Sequence, residues 1–178
     1  SGVWIMAYTT IDNPELYFQT KLFSGTGGGG GSLTFDGSED MQPDWVWSKS
    51  RTEALNHTLF DSVRGAGSNK ELTSNNNATQ GGADSAGFGY ISAFNSDGFT
   101  WTAGGTNTEN FNKSSQTYVH WNWKESTIAG FDIISYQGTG SNLDVSHNLS
   151  AVPDWIMIKN LDVDQAWRVY HKSMGFSK

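Results

Sequence analysis

The sequence predicts an all-β protein of roughly eight to twelve short strands. Three observations lead there. Apolar and polar residues alternate with period two along most ordered-looking stretches, and no 11-residue window carries a convincing helical period. Charged residues are only 16 % of the 178, and polarity comes instead from Ser, Thr, Asn and 21 Gly. Aromatic residues reach 13 %, with eight Trp and ten Phe, and such side chains favour pleated, half-buried surfaces over helices.

In chain order, VWIMAY (3–8) is a compact apolar run expected as a buried strand, and TIDNP (10–14) a turn. LYFQTKLF (16–23) is the next strand, followed by GTGGGGGS (25–32), either a loose loop or a place where backbones approach closely. A phosphate-binding loop would end in Gly-Lys-Ser/Thr, and SLTF (32–35), itself a short strand candidate, follows instead. PDWVWSK (43–49) begins with Pro, which suits a strand start, and sets Trp45, Trp47 and Lys49 against Val46 and Ser48. HTLFDSV (57–63) reads as a strand, and the polar segment 64–87 as a partly ordered surface loop. YISAFNSDGFTWTAGG (90–105) reads as a hairpin turning at 95–98, and TYVHWNWK (117–124) as an alternating strand. GFDIISYQGTGS (130–141) is expected to be strand then turn, with PDWIMIKNL (153–161) and AWRVYHKS (166–173) closing the chain.

An internal duplication organises these elements. At a shift of 110, Pro43, Asp44 and Trp45 fall on Pro153, Asp154 and Trp155. Val46 falls on Ile156, Lys49 on Lys159, Leu59 on Val169, Phe60 on Tyr170, Gly65 on Gly175, Leu33 on Leu143 and Phe35 on Val145. Before the Gly run the shift is 113, placing Phe18 on Phe131, Phe23 on Tyr136 and Gly25-Thr26-Gly27 on Gly138-Thr139-Gly140. The extra residues lie in the Gly run, where an insertion costs least. The expected organisation is an N-terminal strand region (1–17), a complete sandwich unit (18–129) and the first half of a second unit (130–178). The second copy has no counterpart of NSDGFTW (95–101) or TYVHWNWK. Either VWIMAY, another chain or further sequence is expected to complete it. Ser1 in place of Met suggests a processed chain or an excerpt.

The composition narrows the function classes. A net charge of −7 disfavours a phosphate backbone as partner, so no nucleic acid is expected. No apolar run is long enough to cross a membrane as a helix, so no membrane partner is expected. With no Cys there is no disulfide, thiolate metal site or Cys nucleophile. His57, His120, His147 and His171 form no metal-binding spacing, and the GxSxG nucleophile elbow is absent. Asp36, Glu39, Asp40, Asp97 and Asp162 sit in turns rather than alternating along a strand, as a glycosidase pair would. Calcium at one of those turns is the only cofactor considered, and otherwise none is expected. Arg64 is expected to pair with Asp61 or a neighbouring carboxylate.

FDSVRGAG (60–67), FNSDGFTW (94–101) and TYVHWNWK (117–124), with GFDIISYQGTGS, SHNL (146–149), VPDWIMIKN (152–160) and WRVYHKSMG (167–175), together resemble a repeated domain of tailed-phage virion structural and tail-associated proteins, especially of marine phages. The resemblance covers about 18–175 and is looser over the first 17 residues. It implies a lectin-like jelly-roll β-sandwich of the laminin G or concanavalin type. It also implies a non-enzymatic role in the virion as tail fibre, tail-associated or capsid-decoration protein. Departures are the Gly run, Ser48 in place of an aliphatic residue, and Asn122 where Cys is common.

On this reading Trp45, Trp121 and Trp123 fill the core, while Trp4, Trp47, Trp101 and Trp167 lie on an outer sheet face. There they would seal an interface, through self-association or with other virion proteins, or stack on a surface glycan.

Overall fold

The computed structural model describes residues 11–83 and 85–175. Trp4 and the strand expected at 3–8 lie outside the described residues. The elements are β1 (Phe18–Ser24), β2 (Gly31–Leu33), β3 (Trp45–Ser50), β4 (Thr58–Asp61), β5 (Leu72–Thr73), a single helical turn α1 (Ser85–Phe88), β6 (Tyr90–Phe94), β7 (Phe99–Thr102), β8 (Thr117–Trp123), β9 (Trp155–Ile158) and β10 (Arg168–His171). Short 3-10 turns occupy Pro14–Leu16 and Lys172–Met174.

The result is an all-β, antiparallel sandwich. One sheet has the order β1-β8-β3-β4-β5 and the other β2-β7-β6, while β9 and β10 form a separate hairpin. Leu33, Phe35, Met41, Val46, Phe60, Ile91, Phe99, Trp101 and Phe111 form the buried core. Phe111 comes from the polar 105–116 connection. Its ring lies 6.0 Å from Phe60, 6.2 Å from Phe99 and 6.4 Å from Trp101.

The strand periods are as expected, but the inward face of the large sheet is not. Val46, Ser48 and Ser50 point inward on β3, and Tyr118, His120 and Asn122 on β8. Trp45, Trp121 and Trp123, expected in the core, lie half-buried on the outer face, with Trp47 beside them. Trp101, expected on an outer face, is 4 % exposed. Its ring sits over β2, where a Cβ on Gly31 would approach it to 2.6 Å. Close backbone approach is therefore what the end of the Gly run provides.

Most polar inward groups on the large sheet find local partners, Asn122 Oδ1 being buried without one. Ser48 Oγ and His120 Nδ1 are 2.7 Å apart, and Asn122 Nδ2 donates to the Gln19 carbonyl at 3.0 Å. The Gln19 side chain in turn donates to the carbonyls of Glu15 and Glu39. Buried polar groups cost little when paired in this way.

The strand expected at the start of 130–141 is absent. Phe131 makes only an isolated bridge to Ser126, and residues 132–136 belong to no strand. Their counterparts in β1 are held by β8 along seven residue pairs, Phe18↔Trp123 to Ser24↔Thr117. Extended backbone without a ladder partner does not make a strand.

Candidate functional site

The β9–β10 hairpin reproduces β3–β4 in register. Trp45 pairs with Asp61 and Val46 with Phe60; Trp155 pairs with His171 and Ile156 with Tyr170. The flanking turns match as well. Ser62 N–H donates to the Asp44 carbonyl at 2.9 Å, and Lys172 N–H to the Asp154 carbonyl at 2.8 Å. The side chain of Ser62 also bonds the Asp44 carboxylate, and that of Lys172 the Asp154 carboxylate. Gly65 (φ +84°) and Gly175 (φ +67°) each close the turn in a left-handed conformation that other residues rarely adopt. Pro43 and Pro153 precede these hairpins, each presetting the backbone before an Asp.

The two hairpins differ in what covers them. Val46 is fully buried, whereas Ile156 is 39 % exposed; Leu33 is 3 % exposed and Leu143 46 %. Leu59 is fully buried and Val169 half exposed, and Phe35 is buried where Val145 is not. Trp155 is exposed where Trp45 is half-buried. Most of the exposed large hydrophobic side chains among the described residues fall between Ile128 and Met174. Exposed apolar side chains at positions that the other hairpin buries mark a candidate interaction surface.

The missing neighbour can be named by its place. In the first unit β3 lies between β4 and β8. Asp44 N–H donates to the Trp123 carbonyl at 2.8 Å, and its carboxylate accepts the Glu125 N–H at 2.9 Å. Among the described residues β9 pairs with β10 alone, and none of them lies on the edge corresponding to the β8 side.

The hairpin is anchored to the first unit from one side. Trp167 Nε1–H donates to the Thr73 carbonyl at 2.7 Å, so this indole is committed within the chain rather than free as an outer-face platform. Gln80 N–H donates to the Leu161 carbonyl, Thr79 N–H to the Asp164 carboxylate, and Lys159 Nζ to the Asn77 carbonyl.

A second feature is the aromatic outer face of the large sheet. Phe18 and Trp123 are 4.9 Å apart between ring centroids, and Phe131 stacks on Trp123 at 6.3 Å. In the next row Trp47 lies edge-on to Trp121 at 6.1 Å and to His57 at 5.8 Å, and its indole donates to His57 Nδ1 at 2.8 Å. Burial, then Lys49, lowers the His57 pKa.

Several titratable groups serve the fold. Arg64 pairs with Asp61 at 2.6 Å, as its sequence position suggests. Asp36 pairs with Lys21, and Asp164 accepts the Thr79 N–H at 2.9 Å. Glu125 and Asp132 share a hydrogen bond where the first unit leads into residues 130–175. Burial, and then the nearby Asp44 and Asp132, raises the Glu125 pKa against the Ile133 N–H, which lowers it. Burial pushes Asp132 up too, but the Asn148 amides outweigh it and hold Asp132 below its ordinary value. Both carboxylates therefore fix backbone around residues 125–148. A shallow cleft of about 280 Å3 beside β1 is lined by Glu15, Phe18, Gln19, Thr20, Asp36 and Gly37, and Glu15 there is bonded to Ser38. Among the described residues no three His, Asp or Glu side chains converge to hold a metal ion, and no helix is long and apolar enough to cross a membrane.

His120 gives a testable pH dependence. Full burial lowers its pKa to about 3, against about 6.5 in an unfolded chain. Between those values the unfolded state binds the proton and the native state does not. The contribution is complete above pH 6.5 and is lost as pH falls towards 3, on the order of 2 kcal/mol by pH 5. Urea midpoints at pH 7.5 and pH 5 check this. The Ser48→Ala/His120→Leu double variant should show a pH dependence smaller by that amount, and an unchanged difference would contradict the assignment.

The sequence pointed to the repeat anchors and to a half unit in want of a partner. It did not mark Phe111, whose polar surroundings give no core signal, or the Glu125–Asp132 contact, which depends on the path of the chain between the units.

The family model of a domain of unknown function, DUF7483, matches residues 13–178. No curated protein and no solved structure gives a significant match. The family match leaves out only the first twelve residues, and the chain belongs to the DUF7483 domain family.

Proposed function

We propose that the chain is a non-enzymatic structural module of a tailed-phage particle, of tail-fibre, tail-associated or decoration type, working through assembly contacts. The phage setting rests on the sequence resemblance alone. One observation carries the assembly role: side-chain positions that form the core of the first unit are exposed, in the same hairpin register, in residues 143–170. Burying a side chain such as Ile156 or Val169 stabilises a complex by about 1.5–3 kcal/mol. Several together exceed the ordering costs of association more readily than scattered surface residues do.

Light scattering of the purified chain over a concentration series, with and without calcium, tests the reading. Concentration-dependent association is expected, insensitive to chelator. A chain that stays monomeric at every concentration would argue against assembly.

A second reading, a carbohydrate-binding host-recognition module, is favoured by the two aromatic rows around Trp123 and Trp47. Half-buried indoles can stack on sugar rings. A glycan array with wild type and Trp121→Ala distinguishes it, because binding lost in the variant would favour recognition over assembly.

A further inference from the structure

The outer face of the large sheet is closed on one side and open on the other. Strand register fixes two rows across it. One runs Thr20, Trp121, Trp47, Leu59, each residue opposite the next on the neighbouring strand. The other runs Phe18, Trp123, Trp45, Asp61. Exposure falls along both rows in the same direction. Thr20 and Phe18 are exposed, the four indoles are half-buried, and Leu59 and Asp61 are buried. The rows lie two residues apart along each strand, about 7 Å. Phe131, stacked on Trp123 at 6.3 Å, bounds this sloping aromatic floor at one end. The cleft beside β1 shares Phe18 and Thr20 with the open side.

Two properties distinguish this floor from plain packing. The first is unspent hydrogen-bonding capacity. Trp47 donates its N–H to His57 Nδ1 at 2.8 Å. Among the described residues the indole N–H groups of Trp45, Trp121 and Trp123 have no acceptor, and unlike that of the core Trp101 they are not buried. Indoles that keep an apolar body covered and a polar edge wet suit recognition. The second property is neutrality. The Asp61 carboxylate at the closed side is matched by Arg64 at 2.6 Å. Lys49, two residues beyond Trp47 on β3, turns its ammonium onto the carbonyls of Ser50 and Glu53. The His57 imidazole is neutral while its Nδ1 accepts the Trp47 N–H.

These properties select the chemistry of the ligand. The ring faces take C–H groups, and the three N–H groups take hydroxyl or ether oxygens. No unmatched cation on the floor is placed to neutralise a carboxylate, sulfate or phosphate. The Glu15 carboxylate in the adjoining cleft and the net charge of −7 add to that exclusion. An apolar side chain from another protein would cover the rings but bury the indole N–H groups without acceptors, which is unfavourable. A saccharide without charged groups supplies both the C–H faces and the oxygens.

We propose that this floor is a binding site for an uncharged saccharide, entered from the β1 side, with Trp121 at its centre. Trp121 lies between Thr20 and Trp47 in its row and offers both a ring face and a free N–H. Trp47, edge-on to it at 6.1 Å and tied to His57, holds that ring in place. This site rests on the recognition reading and names its ligand class.

A glycan array carrying neutral, uronate-containing, sialylated and sulfated glycans, probed with the full chain, tests it. Calorimetric titration of the strongest neutral glycan then measures the variants. Neutral glycans are expected to bind, and charged versions of the same glycan to bind at least about tenfold more weakly. Trp121→Phe keeps a ring and removes the N–H, and should weaken binding about threefold to tenfold. Trp121→Ala removes both and should weaken it further. Thr20→Asp places a charge at the open end of the row, on an exposed strand position, and should also weaken it. Unchanged urea midpoints would establish that the Thr20 variant folds. Binding confined to charged glycans, or neutral binding unmoved by all three variants, would overturn this site and leave recognition standing. Self-association of the chain that weakens in Thr20→Asp would make the floor a protein contact and overturn the site as well. A chain that binds no glycan at any concentration would overturn both the site and the recognition reading.

Discussion

Replacing Phe111 by Ala is expected to destabilise the protein by about 3–5 kcal/mol, the cost of removing a large aromatic side chain from a closed core. Phe111 is 1 % exposed and is the ring through which the two sheets meet. It stacks on Trp101 from the small sheet and on His120 from the large one, and it contacts Phe60 and Phe99. The connection that carries it has little freedom to collapse into the cavity. Asn112 N–H and Phe111 N–H both donate to the Thr108 carbonyl, and the Asn112 side chain accepts the Thr26 N–H at 2.7 Å. Tyr118 OH donates to the Glu109 carbonyl and accepts the Lys113 N–H. Urea unfolding followed by Trp fluorescence measures the loss, and a melting temperature lower by roughly 10 °C is expected for a domain of this size. A loss below about 1 kcal/mol would mean that Phe111 does not join the sheets.

Replacing Arg64 by Met should cost a comparable amount, about 3–5 kcal/mol, by leaving a buried carboxylate without its counter-charge. Asp61 and Arg64 side chains are 2 % and 7 % exposed. Asp61 accepts both the backbone N–H and the Nε–H of Arg64, and Arg64 Nη1 reaches the Lys70 carbonyl and the Gln80 side chain. One guanidinium thus ties β4 to the start and end of the loop leading to α1. The β9–β10 hairpin leans on that loop through Gln80 and Leu161, so the variant should also raise amide exchange at β9 and β10. The Asp61→Asn/Arg64→Met double variant removes the stranded charge and should be more stable than Arg64→Met alone. If the two substitutions are simply additive, the ion pair is not what holds this corner.

Strands such as β1, β3 and β7 were legible because alternation survives in them, and the β6–β7 hairpin because Asn95 to Gly98 supplies turn chemistry. Alternation gives a period but not a sign. On β3 it separates Trp45 and Trp47 from Val46 and Ser48, and hydrophobicity favours the Trp side as the core. The fold buries Val46 and Ser48 instead, because the inner volume is already filled by Phe60, Phe99, Trp101 and Phe111. Trp101 goes inward because glycine on the neighbouring strand makes room for an indole, a relation between strands far apart in sequence.

The shared register of the two hairpins was legible for a different reason. Repeat register is a property of the chain itself, and it carries with it the turn roles of Asp44 and Gly65. The strand expected near residues 131–136 failed on the same logic, since β1 owes its regularity to β8 and no described residue plays that part for the second copy. The candidate site is in that sense a consequence of one neighbour that none of the described residues supplies.

Hydrogen exchange at the backbone amides of Trp155–Ile158, compared with those of Trp45–Ser50 across a hundredfold concentration range, tests this account most directly. The account predicts that the β3 amides are protected at every concentration. Those β9 amides that do not bond to β10 should exchange freely when dilute and become protected as the chain associates. Protection of the β9 edge independent of concentration, or exposure that persists at the highest concentration, would contradict it.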